Sequence, residues 1–86
     1  MVITTTRKFD KRFKKQSAKI KKEFQYRIKI FLKDINDPVL NIHKLSGKLN
    51  NLWSFNLSGG IRIIFDKNQK NIILLVDIGS HSELYS

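Results

Sequence analysis

The chain of 86 residues is poorest in the groups that usually build cross-links and metal centres: it has no cysteine and only two histidines, His43 and His81. Disulfides and thiolate metal sites are therefore excluded, and two imidazoles alone make a poor zinc site. Long apolar runs are also absent. No stretch approaches the roughly 20 residues of a membrane helix, and the start of the chain has no signal-like apolar core, so a soluble cytoplasmic protein with no membrane contact is expected. There is one proline, no internal repeat, no low-complexity tract and no linker, which leads us to expect one domain over residues 1–86. Acidic residues are scarce as well, 7 against 17 lysines and arginines, for a net charge of +10.

That charge is unevenly distributed. Residues 1–33 carry 12 lysines and arginines against Asp10 and Glu23, whereas residues 34–86 carry 5 against 5. The whole excess lies in the first third of the chain, on two stretches with helical periodicity. Phe9 and Phe13 stand four apart in the first; Ile20, Phe24, Ile28 (or Arg27), Phe31 and Ile35 step by about one turn in the second, which should end before Pro38. Thr5 or Thr6 is suited to cap the first, and Gln16-Ser17 is the expected break. Before them, Val2-Ile3-Thr4-Thr5-Thr6 is β-branched and reads as an edge strand.

The last third alternates with strand periodicity. Trp53, Phe55 and Leu57 share one face, and after the Ser58-Gly59-Gly60 turn Ile61, Ile63 and Phe65 share another, with Ile64 an apolar residue on the polar side. A second turn at Lys67–Lys70 leads to Ile72–Val76, apolar on both faces and suited to the middle of a sheet. Val39–Asn51 reads as an irregular connection in which Gly47 takes a positive φ. The expected fold is α+β, in the order β-α-α-β-β-β, with a helical hairpin on one face of a small, mostly antiparallel sheet. The opposite face is expected to stay open, with Arg62 projecting from it toward the polar tail Gly79–Tyr85.

Dense positive charge on a small helical pair favours a polyanionic partner, although lysine-rich helices are often only solvated surface. Trp53 is expected in the core, although an exposed indole could stack on a base. His43 and His81 are the side chains whose ordinary pKa, ~6.5, suits proton transfer near neutrality. Cleavage of RNA through its own 2′-hydroxyl requires a base, an acid and a cation for the phosphorane charge. His43, His81 and Arg62 would supply that set without a metal or other cofactor.

Four segments together resemble a known family: His43-Lys44-Leu45-Ser46-Gly47, Leu52-Trp53-Ser54-Phe55, Arg62-Ile63-Ile64-Phe65, and Ile78-Gly79-Ser80-His81 with Tyr85 four residues on. The chain is similar over nearly its whole length to the RelE/ParE superfamily of type II toxin–antitoxin toxins, and the two histidines look most like the YafQ-type mRNA interferases. The resemblance implies a RelE-like fold and a ribosome-associated endoribonuclease that cuts mRNA, leaves a cyclic phosphate and a 5′-hydroxyl, inhibits translation and is restrained by a cognate antitoxin. It assigns His43 and His81 to acid–base catalysis, Arg62 to the phosphate and Tyr85 to the catalytic set. Lys14, Lys15, Lys21, Lys22, Lys44 and Lys48 become the candidate contacts to mRNA and ribosomal RNA. Where relatives often carry Lys or His on the strand before the Gly-Gly turn, this chain has Ser54 and Asn56. A ParE-like inhibitor of DNA gyrase and a catalytically silent RNA- or partner-binding module of the same fold remain alternatives.

Overall fold

The computed structural model describes residues 1–85. In chain order the elements are β1 (Val2–Thr5), α1 (Arg7–Lys14), α2 (Ala18–Lys33), β2 (His43–Lys44), β3 (Trp53–Asn56), β4 (Ile61–Asp66), β5 (Ile72–Ser80) and α3 (His81–Tyr85). They form an α+β domain in which α1 and α2 pack on one face of a five-stranded sheet ordered β1-β5-β4-β3-β2. Only β1 pairs in parallel, with β5; the other pairings are antiparallel. β1 is an edge strand and β5 lies between β1 and β4, as the β-branched start and the doubly apolar Ile72–Val76 run imply.

Capping places the helices where expected. Thr6 Oγ1 accepts from the Phe9 amide at 3.0 Å and donates to the Val76 carbonyl at 2.7 Å, so one side chain starts α1 and ties it to β5. Ser17 caps α2 in the same way through the Ile20 amide, at the expected break. Two aromatic groups then bind the hairpin to the sheet. Phe9, Phe13 and Phe24 join α1 to α2, with centroids 4.9 to 5.9 Å apart. Phe31 of α2 meets Phe55 and Phe65 of the sheet at 5.3 and 5.2 Å, and all three are fully buried. Truncating such a phenylalanine costs about 3–5 kcal/mol, so Phe31 is a strong anchor of α2. Trp53 is half-buried against this core with the Lys67 ammonium 4.1 Å over its ring.

Several expectations need correction. The Val39–Asn51 connection is not wholly irregular: His43 and Lys44 pair with Ser54 and Trp53 as a fifth strand, flanked by single 3-10 turns at Pro38–Leu40 and Gly47–Leu49. Gly47 does take a positive φ, +66°. α2 stops at Lys33, so Ile35 packs on the core from the following turn. β5 does not end at Val76 but runs to Ser80, through a bulge that pairs Ile64 with Asp77 and Phe65 with Leu75, leaving Val76 extra. One inserted residue shifts the side-chain alternation, so Ile73, Leu75 and Ile78 point to the core while Asp77 and Gly79 turn to the second face.

The second face is not left open. Along one row, His43, Ser54, Ile64 and Asp77 stand side by side on β2, β3, β4 and β5. Ser54, Ile64 and Asp77 are 0%, 3% and 5% exposed, and Leu45 and Ile64 are buried apart from the main core. This explains the apolar Ile64 on the nominally polar side of its strand. The tail accounts for part of the cover, because it is a short helix folded back against β5 rather than an extended segment.

Candidate functional site on the second face of the sheet

Arg62 lies in the next row, opposite Asn56 on β3 and Gly79 on β5. It is half-buried, and among the described residues it takes part in none of the ion pairs, which involve Lys8, Arg12 and Arg27 instead. A guanidinium free of an internal carboxylate keeps its charge and its planar fork available to an anion. His43 is two strands away, roughly 10 Å in the hydrogen-bonding direction, and two residues along, ~7 Å.

His43 is held from both sides. Its Nδ1 lies 3.1 Å from the Asn41 carbonyl and its Nε2 lies 3.1 Å from Ser54 Oγ. A carbonyl only accepts, so Nδ1 carries the proton; in the neutral ring the Nε2 lone pair then accepts from the Ser54 hydroxyl. Asn41, in the left-handed region at φ +50°, turns its carbonyl back onto the ring two residues later. The ring itself stays exposed while Ser54 is fully buried, so Ser54 anchors an exposed imidazole to the sheet.

His81 is placed by different means. Ser80 and Glu83 form a reciprocal capping box: the Ser80 amide donates to Glu83 Oε1 at 2.8 Å, and the Glu83 amide donates to Ser80 Oγ at 3.3 Å. The backbone bond from Ser80, then the Ser80 side chain, hold the Glu83 carboxyl below the usual glutamate range against an opposing desolvation, with the Arg12 charge the least of the causes. His81 is therefore the first residue of α3, and its ring lies 4.6 Å from that of Tyr85, one turn on. Gly79 makes room for this return. A Cβ there would come within 3.1 Å of Glu83 Oε1, 3.2 Å of Glu83 Cβ and 3.4 Å of Arg12 Nη1. A side chain at Gly79 would thus crowd Glu83 and Arg12, beside the strand position that carries Arg62.

The helix also faces the turn that follows β2. Tyr85 and Leu84 line a cleft of about 400 Å³ with Ser46, Lys48 and Leu49. Lys48 consequently belongs to the same region as Tyr85, and Lys44 adjoins His43 on β2; both are exposed. Lys14, Lys15, Lys21 and Lys22 form a separate group where α1 passes into α2, with Lys21 Nζ bound to the Lys14 carbonyl at 3.0 Å.

Four residues of this region escape a reading of the sequence as catalytic candidates: Ser54, Asp77, Arg12 and Glu83. Asp77 is a buried carboxylate 3.4 Å from both Lys8 Nζ and Arg12 Nη1, groups more than sixty positions away along the chain. Ser80-x-x-Glu83 carries a legible signal, the spacing of a capping box. No group of three or more His, Asp or Glu side chains suited to a metal ion occurs among the described residues, and no helix among them is long and apolar enough to cross a membrane.

This fold is shared with solved structures of YafQ and of a YoeB/ParE toxin from Agrobacterium tumefaciens. Crystal structures of YafQ from E. coli strain BL21(DE3) superpose with a TM-score of 0.80 at 12% identity, covering 98% of this chain and 97% of that one. A metal-bound toxin from Helicobacter pylori is 29% identical with a TM-score of 0.73, covering 99% of each chain. YafQ in the E. coli DinJ–YafQ complex matches at 14% identity and a TM-score of 0.77, over 98% and 97%. No curated protein sequence matches. The profile described as the bacterial toxin of type II toxin–antitoxin systems, YafQ, matches residues 1–86. The chain belongs to the YafQ family of type II toxin–antitoxin toxins.

Proposed function

We propose that this toxin is an endoribonuclease that cuts mRNA in association with the ribosome, in the cytoplasm, and that it is restrained by a cognate antitoxin, as YafQ is found in complex with DinJ. The observation that carries the reading is Arg62, without an ion-pair partner among the described residues, on the sheet face that also holds His43, with α3 and His81 following the β5 end that pairs beside it. His43 Nε2, whose lone pair is directed at a hydroxyl, serves as the base that takes the proton of the RNA 2′-hydroxyl once Ser54 yields its place. The 2′-oxygen attacks the adjacent phosphorus, and Arg62 stabilises the charge that builds on the phosphorane. His81, protonated, gives its proton to the departing 5′-oxygen, so the products are a cyclic phosphate and a 5′-hydroxyl. Tyr85 holds the His81 ring and offers a phenol and a stacking face at the cleft. Lys44 and Lys48 line the path of the RNA; Lys14, Lys15, Lys21 and Lys22 bind ribosomal RNA.

The test is to induce the protein in cells and map new mRNA 5′-ends within reading frames. Clustered ends are expected for the parent, and their loss in His81→Ala and His43→Ala, with general acid–base groups contributing ~10²–10⁴-fold. Full cleavage by both variants overturns the assignment. One observation favours a second reading, a catalytically silent binding module: both ring nitrogens of His43 already have partners. Growth arrest without new 5′-ends would select it, or a gyrase target.

A further inference from the structure

We propose that Arg12 of α1 is a positioning residue for His81, clasping α3 to β5 from around the edge of the sheet. The inference rests on the role given to His81 above. β1 stops pairing at Thr5, opposite Leu75, so the part of β5 beyond Val76 has no paired strand on that side. Arg12 pairs with Asp77 just beyond that point. Its helix packs on the core through Phe9 and Phe13, yet its Nη1 reaches the second face, 3.4 Å from Asp77 Oδ2 and 3.4 Å from the point a Cβ on Gly79 would occupy. Glu83 Oε1 touches that same point at 3.1 Å. The guanidinium therefore pairs with the strand carboxylate and lies near the Glu83 carboxylate beside Gly79, with which it forms no ion pair among the described residues.

Two features set Arg12 apart from an ordinary surface cation. Nη1 is buried and makes no hydrogen bond among the described residues, a costly state for a guanidinium unless the surrounding charges retain it. Lys8 also reaches Asp77 at 3.4 Å, so Asp77 has a second cation, and Lys8 is 64% exposed whereas Arg12 is 32% exposed. Arg12 is thus the partner whose charge also lies beside α3. That proximity matters because a helix of five residues cannot hold itself. The placement of α3 depends on its first turn, where Ser80 and Glu83 cap each other, Gly79 allows close approach and Arg12 attracts Glu83. His81 lies inside that turn, between Ser80 and Glu83.

The experiment compares the full-length parent with Arg12→Gln, Arg12→Lys and Glu83→Gln. Two quantities are read: proton NOEs between the His81 and Tyr85 rings, and kcat and KM for RNA cleavage. Arg12→Gln should lose the ring NOEs while the β4 and β5 amide signals persist. Its kcat should fall about 10-fold or more with KM within about twofold, since small misplacements of a reacting group are costly. Glu83→Gln should move both readouts in the same direction, and Arg12→Lys should restore part of each. Unchanged NOEs in Arg12→Gln overturn the proposal, and so does a loss expressed as a raised KM with the NOEs kept, which makes Arg12 an RNA contact. If Arg12→Gln does not fold, Glu83→Gln decides by the same criteria, because Asp77 keeps both cations there. A parent that cleaves no RNA refutes the ribonuclease reading, while the NOEs still decide the clasp.

Discussion

The Ser54 hydroxyl donates to Nε2 of His43 across the β2–β3 pair at 3.1 Å, so a fully buried serine holds an exposed imidazole by the nitrogen it would use as a base. Ser54→Ala should cost about 0.5–1.5 kcal/mol of stability, toward the low end because water can replace the lost partner at the exposed ring. Cleavage should slow on the order of fivefold, the rate equivalent of ~1 kcal/mol of lost orientation. Urea unfolding and single-turnover cleavage check the two. An unchanged rate would reduce Ser54 to packing.

Arg62 forms none of the ion pairs found among the described residues, so its removal should leave the fold intact. Arg62→Ala should retain the parent circular dichroism and lose nearly all cleavage. Arg62→Lys should keep part of it, because lysine preserves the charge without the bidentate fork. A collapsed dichroism spectrum for Arg62→Ala would make the residue structural.

Changing Lys14, Lys15, Lys21 and Lys22 together to Glu should leave the protein folded, since all four lie off the buried Phe9 and Ile20 face. New carboxylates at the end of α1 oppose its dipole, and those near the start of α2 favour its own, so the two effects largely offset. Ribosome binding should weaken and its salt dependence become shallower. Equal affinity of parent and variant in a ribosome co-sedimentation series would remove these lysines from the docking surface.

Acid should loosen α3 before the rest of the fold. The Glu83 carboxyl is held below its usual range first by the Ser80 amide, so its contribution is complete above the unfolded-state pKa and disappears as pH falls through the lowered folded-state value. The Ser80 amide resonance and the His81–Tyr85 NOEs should change together in that acidic window, with β4 amides unaffected. A Ser80 amide that does not respond to pH there would contradict the capping box.

Local pattern determined much of this protein. Helical and strand periodicities, the Thr6 and Ser17 caps, the glycine turns and the positive φ of Gly47 depend on neighbours within a few residues, and all are written in the order of side chains. His43, Arg62, His81 and Tyr85 could be singled out because their chemistry is rare in so small a chain. What the tertiary structure alone decided rests on contacts between distant segments. The bulge at Val76 turns Asp77 and Gly79 to the second face, and Arg12 pairs with Asp77 just past the end of the β1 pairing. The extra pair β2–β3 joins His43 to Ser54. No periodicity announces these, because a two-residue strand, a bulge and a long-range ion pair draw their stability from the pairing partner rather than from their own sequence.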